Sequence, residues 1–225
     1  MPNNVKNTTF VGPFDLLFPH SCRGCGHLGE PLCDRCKNYI LKSHETICPN
    51  CKKSSKNCHC KNLPPIYIVA KKSSLLGDVI KDYKYHSIRA LARPLAELLA
   101  ASLPEDLPKD SIIVPLPTAT HHLRSRGFDH TKLIAKHLSR LRHLPMQPIL
   151  ERSKNTVQVG SDRSARLSQA DSAYSLKPNV KIDKDATYIL LDDIWTTGAS
   201  ILAATNKLKK AGAEHVVAGL LAYSD

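Results

Sequence analysis

Apolar residues along most of the chain follow two spacings, one suited to buried strands and one to helices. Ile66-Tyr-Ile-Val-Ala70 is rich in β-branched residues and predicts a strand. Ser111-Ile-Ile-Val-Pro-Leu-Pro117 predicts a short buried strand running into a loop, and Thr187-Tyr-Ile-Leu-Leu191 and His215-Val-Val-Ala-Gly-Leu-Leu-Ala222 predict two more buried strands. Between them the period lengthens. Residues Ser74 to Tyr85 and Ile88 to Ala101 read as helices, the second with an apolar face of Leu91, Leu95, Leu98 and Leu99, closed by Pro104 and Pro108. Thr131 to Leu144 predicts an amphipathic helix with Leu133, Ile134, His137, Leu138 and Leu141 inward. Ser200 to Ala211 predicts a last helix, with Gly212 suited to its C′ position. Residues 151 to 175 read as a polar connection followed by a short strand. Strands alternate with helices, so this part is an α/β domain with a mainly parallel sheet flanked by helices.

The first part of the chain lacks this patterning. All eight cysteines fall between Cys22 and Cys60, and Asn62-Leu-Pro-Pro65 separates them from the first strand. The expected division is therefore a small cysteine-rich domain over residues 1–62 and the α/β domain over 63–225. The cysteines form pairs: Cys22/Cys25, Cys33/Cys36, Cys48/Cys51 and Cys58/Cys60. A CxxC turn offers two thiolates on one side, and a second pair closes a tetrahedron of the kind zinc prefers. Gly24 and Gly26 suit the tight turn of such a knuckle. Eight thiolates suffice for one or two structural zinc ions, with sequential or interleaved pairing both open. The last pair is CxC, with His59 between its cysteines, and His20, His27 and His44 are further ligand candidates. A redox dithiol or disulfides are the other readings of such pairs. A fully coordinated zinc leaves no position for substrate, so the metal would serve folding.

No apolar run approaches the roughly 20 residues that span a bilayer, and the first 21 residues, which include Asn3, Asn4, Lys6 and Asp15, do not form a secretory signal. Both points argue for a cytoplasmic protein with no membrane insertion, where cysteine pairs are more often metal ligands than disulfides. The formal net charge is +12, with +5 over the first 62 residues and +7 over the rest. Such a balance suits phosphate-bearing partners, a small phosphorylated ligand or nucleic acid, and equally a solvated basic surface.

The sharpest motif is Tyr188-Ile-Leu-Leu-Asp-Asp-Ile-Trp-Thr-Thr-Gly-Ala-Ser200. A buried strand runs into Asp192 and Asp193, then into a hydroxyl- and glycine-containing loop that opens a helix. Amides at a helix N-terminus favour a phosphate dianion. Gly198 permits close backbone approach, and Thr196, Thr197 and Ser200 add hydroxyl donors around Ala199. Adjacent carboxylates at the carboxyl end of a parallel strand suit a vicinal diol such as a ribose.

This stretch resembles the signature with which type I phosphoribosyltransferases bind phosphoribosyl pyrophosphate (PRPP). The resemblance implies that Asp192 and Asp193 hold the ribose hydroxyls and Thr196 to Ser200 the 5-phosphate, and that Pro115-Leu116-Pro117-Thr-Ala119 is the loop that contacts pyrophosphate. The chain from about residue 20 to 223 resembles the ComF family, which includes ComFC and GntX-like proteins. The cysteine pairs, Lys84-Tyr85-His86, Arg124-Ser-Arg-Gly-Phe128 and the PRPP motif carry that likeness, with Arg152, Thr156, Gln158, Arg166 and Ala173-Tyr174 at matching spacing. Departures are Asp129-His130 in place of Asn-Gln, Gln169 in place of Asn and Tyr174 in place of Phe.

The resemblance implies a type I phosphoribosyltransferase-like domain behind a zinc-ribbon-like one, a role in natural transformation, and single-stranded DNA and competence-machinery proteins as partners. As an enzyme it would bind PRPP with magnesium, and a nitrogen nucleophile would displace pyrophosphate. Arg124 and Arg126 are then the candidates for neutralising the leaving group, with Arg152, Arg163 and Arg166 placed to close over the ligand. The fold also serves as a PRPP sensor without turnover, so a non-catalytic competence factor is the other expectation.

Overall fold

The computed structural model describes residues 20–42, 48, 51, 60, 63–72, 74–152 and 173–224. In chain order it has a two-stranded antiparallel ribbon, β1 (His20–Ser21) and β2 (Leu28–Gly29), then α1 (Asp34–Lys42). The sheet-forming part follows: β3 (Ile66–Lys71), α2 (Ser74–Tyr85), a 3₁₀ turn at Arg89–Leu91, α3 (Ala92–Ser102), β4 (Ile112–Pro115), α4 (Thr120–Arg126) and α5 (His130–Arg142). A second ribbon, β5 (Leu150–Arg152) with β6 (Tyr174–Leu176), precedes β7 (Thr187–Trp195), α6 (Ala199–Lys210) and β8 (His215–Tyr223).

The main sheet has the order β3-β8-β7-β4, and every neighbouring pair is parallel. Parallel strands need crossovers, and covering both faces with helices explains why β7 and β8 are almost wholly apolar. Alternation along β7 sends Ile189 and Leu191 to one face and Tyr188 and Leu190 to the other. The first face packs on α2, α3 and α5 through Leu76, Leu95, Leu99, Ile134 and Leu138. The second packs on α6 and the β5–β6 ribbon through Ile201, Leu208, Leu150 and Tyr174. The result is a three-layer sandwich whose strands all point their carboxyl ends at one rim.

The cysteine-rich part joins this core. Cys22, Leu32, Cys36 and Ile40 belong to the same apolar cluster as α2 and α3. Two ion pairs fasten it from outside: Arg23 Nε to Asp82 Oδ2 at 2.5 Å, and Lys37 Nζ to Glu97 Oε2 at 2.5 Å.

The four strands and the main helices match the expected ones, with differences that have physical reasons. The strand predicted to end at Leu191 continues to Trp195, because Asp192, Ile194 and Trp195 keep pairing with β8. Leu141 is not inward but 38% exposed, since α5 ends at Arg142 beyond the packed stretch. That helix begins at His130, where the Asp129 side chain accepts a hydrogen bond from the Lys132 amide as its N-cap. Helix α4 lay in a stretch read as loop, and it ends at Gly127 with φ 71°. Most of the polar connection, with Thr156, Gln158, Arg163, Arg166 and Gln169, lies outside the described residues, as do residues 1–19, His44, Cys58 and His59.

Candidate functional site

Three elements bring the site together at the carboxyl rim of the sheet. The end of β7 supplies Asp192 and Asp193, the end of α2 supplies Lys84 and Tyr85, and the loop from β4 through α4 to the start of α5 supplies Leu116 to Ala119, Arg126 and His130. They line a cavity of about 290 Å³ that also includes Arg152, Tyr174 and Ser200.

Asp193 is buried and doubly held. Its Oδ2 accepts from Lys84 Nζ at 2.5 Å and from His130 Nε2 at 2.6 Å. His130 is buried too, and its Nδ1 lies 3.2 Å from Arg126 Nη1. A guanidinium only donates, so Nδ1 is the acceptor and Nε2 carries the proton given to Asp193. Arg126, also buried, lays its guanidinium over the Tyr85 ring, 5.1 Å from the centroid. Burial by itself would raise Asp193, but the hydrogen bond from His130 and the Lys84 ammonium outweigh it and hold the carboxyl well below its ordinary range.

Asp192 is driven the other way. Burial and the neighbouring Asp193 charge raise it from 3.8 to about 7, against the opposing pull of the Asp193 amide, Lys84 and Arg152. Its Oδ1 accepts from the Asp193 amide at 2.9 Å. Two adjacent carboxyls therefore differ sharply: Asp193 is fixed as an anion, while Asp192 sits at the edge of ionisation and faces the cavity.

The loop after β7 turns at Gly198, with φ 76°. A Cβ there would lie 2.2 Å from the Trp195 ring, so both conformation and contact require glycine. Thr196, Thr197 and Ala199 are exposed, Ser200 is half-buried on the cavity wall, and at the start of α6 the N-cap Gly198 offers no side chain while the Ala199 amide donates to Thr197 Oγ1 at 3.4 Å. The free amides of a helix start favour negative charge. On the opposite wall, Leu116 donates its amide to the Leu191 carbonyl at 2.9 Å, fixing the loop after β4 to the sheet. Leu116 and Pro117 line the cavity, and Pro115 lines an adjoining one of about 280 Å³. Arg152 donates to the Pro117 carbonyl at 3.2 Å and lies over the Tyr174 ring.

The structure thus brings Asp192, Asp193, Ser200, Leu116, Pro117, Arg126 and Arg152 to one cavity, with Thr196 to Ala199 and Pro115 beside it. Arg124 lies on the exposed side of α4. Lys84, Tyr85 and His130 had no assigned role in the sequence reading, and Thr118 entered it only as part of the loop after β4. The Lys84-Tyr85-His86 segment and the Asp129-His130 departure were visible as motifs, but only the fold joins them to Asp193. Thr118 Oγ1 donates to Asp129 Oδ1 at 3.0 Å, so the carboxylate at 129 caps α5 and braces the loop after β4.

In the cysteine-rich part, Cys22, Cys25, Cys33 and Cys36 gather with all sulfurs within 4.8 Å of one another. The Cys22–Cys33 and Cys25–Cys33 separations are 3.6 and 3.7 Å. A tetrahedron with zinc–sulfur bonds of about 2.3 Å needs sulfurs about 3.8 Å apart, so the set fits zinc. Burial opposes ionisation of Cys22, yet the amides of Cys33, Cys25 and Gly24 lower it, while burial and the neighbouring thiols raise Cys36. A second group, Cys48, Cys51 and Cys60, is equally close-set. The pairing is therefore sequential, first pair with second.

No protein-family model matches the chain. Among solved structures, the allosteric regulatory enzyme of purine biosynthesis superposes with a TM-score of 0.43 at 14% identity, over 62% of this chain and 29% of that one. A hypoxanthine phosphoribosyltransferase from Staphylococcus aureus gives 0.37 at 13%, over 56% of this chain and 60% of that one. The main sheet is all-parallel and flanked by helices, with its acid pair and glycine loop at the carboxyl rim, an α/β fold carrying an N-terminal cysteine cluster. Its curated relatives are competence proteins. Competence protein F of Haemophilus influenzae is 25% identical over 215 residues, 87% of this chain and 92% of the relative. ComFC of Streptococcus pneumoniae is 24% identical over 194 residues, covering 82% and 84%, and ComFC of Bacillus subtilis 25% over 198 residues, covering 81% and 80%. The chain is ComF-like over most of its length.

The raised Asp192 gives a stability signature. Between about pH 4 and 7 the folded chain keeps a proton on Asp192 that the unfolded chain has lost, so this group makes stability fall as pH rises through that window. Asp193, held low, has the opposite sign and gives up its contribution only as pH drops below the ordinary carboxylate range. Asp192→Asn should remove the downward slope and raise stability at pH 8 by at most about 4 kcal/mol. Urea unfolding midpoints from pH 5 to 8 check this; parallel curves for the two proteins would contradict it.

Proposed function

We propose that the chain binds the magnesium complex of PRPP at the rim of the sheet and transfers its phosphoribosyl group with release of pyrophosphate. The observation that carries this reading is the split acid pair beside a helix start hinged at Gly198. Asp192 faces the cavity with acceptor oxygens for a ribose diol, and the amides of α6 with Ser200 suit the 5-phosphate dianion. Thr196, Thr197, Gly198 and Ala199 form the rest of that phosphate loop. Pro115, Leu116 and Pro117 form the wall for the pyrophosphate. Arg126 lines the same wall and, with Arg124 on the outer side of α4, is the candidate for the charge of the leaving group. The transition state of such a transfer has oxocarbenium character, so the work of the protein is positioning and charge neutralisation.

The two cysteine groups bind structural zinc in this reading, Cys58 completing the second with Cys48, Cys51 and Cys60. Cys22 and Cys36 lie in the core cluster shared with α2 and α3, so the metal supports the same helix that carries Lys84. The proposed boundary between the two parts stays at residues 62 and 63. The likeness to competence proteins supports a role in natural transformation alongside the competence machinery, which this reading places in the cytoplasm.

Contact with single-stranded DNA is the second reading, in which PRPP is sensed and not turned over. It is favoured by one observation: Lys132, Lys136 and Arg140 stand exposed at successive turns of α5, next to Arg89 lying over the Phe128 ring. Such a row suits a phosphate backbone and one stacked base.

Calorimetry with magnesium-PRPP should show binding that strengthens from pH 6 to 8 as Asp192 ionises and weakens at least tenfold in Asp192→Ala/Asp193→Ala. Absence of heat in the native protein would sink the reading. Metal analysis should find two zinc ions per chain, and a strong chelator should lower the thermal midpoint by several degrees; a metal-free, equally stable protein would count against the zinc assignment. In the second reading, Lys132→Ala/Lys136→Ala should lower oligonucleotide affinity severalfold and flatten its salt dependence by about two charges.

A further inference from the structure

Arg126 is a cation without a counter-ion. It lines the cavity of the acid pair, is only 8% exposed, and makes no ion pair among the described residues. A buried charge in that condition is costly unless something neutralises it. A guanidinium donates and never accepts. Among the described residues, the one hydrogen-bond acceptor its side chain reaches is His130 Nδ1, at 3.2 Å from Nη1. The Tyr85 ring covers one face of the group. The backbone beneath it is pinned, since α4 closes at Gly127 with φ 71° and Arg89 donates to the Gly127 carbonyl at 2.9 Å. The direction of the guanidinium is therefore set by Tyr85 on one side and His130 on the other.

His130 stands between this cation and a buried anion. Its Nε2 is 2.6 Å from Asp193 Oδ2, and its Nδ1 faces Arg126. The ring is held in that place by its neighbours. Tyr83 donates to the His130 main-chain carbonyl at 2.7 Å. Thr118 Oγ1 lies 3.2 Å from Nδ1 but gives its proton to Asp129 Oδ1, so the lone pair of Nδ1 is left to Arg126. Lys84 occupies the other side of Asp193.

We propose that His130 is a positioning residue that holds Arg126 apart from the acid pair, so that the guanidinium stays free for the anionic leaving group of the ligand. The inference rests on the phosphoribosyl-transfer reading. With its proton on Nε2, the ring donates to the anion and accepts from the cation, and so links the two without letting them meet. A proton on Nδ1 would face an N–H of the guanidinium, and an apolar side chain would offer it nothing. In both cases Arg126 loses its acceptor and turns to Asp193, away from the loop after β4. A glutamine reproduces the imidazole, because its amide nitrogen donates and its carbonyl oxygen accepts. His130 acts through Arg126.

Calorimetry with magnesium-pyrophosphate tests this, with magnesium-PRPP as the control on the site. His130→Leu should weaken pyrophosphate about tenfold, the loss expected when a hydrogen bond to a charged group goes, and His130→Gln should stay within about twofold of the native protein. Arg126→Gln should cost as much as His130→Leu, and the double variant no more than either. Additive losses overturn the role, as does a glutamine variant as weak as the leucine one. Nitrogen NMR of the imidazole in the native protein reads the tautomer, with the signal assigned by its absence from His130→Gln, and this holds even if His130→Leu does not fold. A bare Nδ1 and a protonated Nε2 are expected, and a proton on Nδ1 overturns the inference. A native protein that binds PRPP but not pyrophosphate overturns the place given to Arg126, and the role of His130 with it, while PRPP binding stands. Failure of PRPP itself to bind overturns both.

Discussion

The buried contact among Lys84, His130 and Asp193 is the constraint on which the site depends. Moving a carboxylate out of water is expensive unless partners and hydrogen bonds replace the lost solvation. Here an ammonium at 2.5 Å and an imidazole at 2.6 Å do so from two different helices. Three elements far apart in sequence, α2, α5 and β7, are thereby tied at one point. That point lies where all four parallel strands end, and the loops that line the cavity hang from the same elements. Removing either partner would leave a buried charge poorly compensated, so the contact fixes position more than it adds net stability.

The same contact sets the electrostatics of its neighbour. Asp193 is saturated and stays ionised. Asp192, one residue away, feels burial and that fixed negative charge and is pushed to about 7. One acid is structural and the other is free to respond to a ligand. His130 extends the arrangement outward, since its second nitrogen accepts from Arg126, and Arg126 in turn covers Tyr85. A chain of contacts thus runs from the acid pair to Tyr85 on the cavity wall.

The cysteine-rich part is bound to this frame by more than a linker. Arg23, inside the first CxxC, pairs with Asp82 on α2, and His86 Nδ1 approaches the other oxygen of Asp82 at 2.7 Å. Asp82 lies two residues before Lys84. Cys22 and Cys36 are buried in the cluster that also holds Leu76, Val79 and Ile80 of α2. A metal that orders the four thiolates therefore also orders the helix that carries the cation of the site.

Much of this was legible in the sequence. Local apolar period gave the four strands and the main helices, because buried strands and amphipathic helices need different spacings whatever surrounds them. The CxxC spacing marked the thiolate groups, and Asp-Asp before Thr-Thr-Gly marked the rim, since those residues sit within one turn of chain and their chemistry is local. The likeness to the competence proteins was carried by the same short motifs. Other features were decided only in three dimensions. Asp192 and Asp193 look equivalent in sequence, and their opposite environments come from Lys84 and His130, which other elements deliver. Sequential pairing of the cysteines depends on how the first ribbon folds over α1. The rim cavity exists because the end of α2, the loop after β4 and the end of β7 meet there, a relation between distant segments that no local pattern encodes.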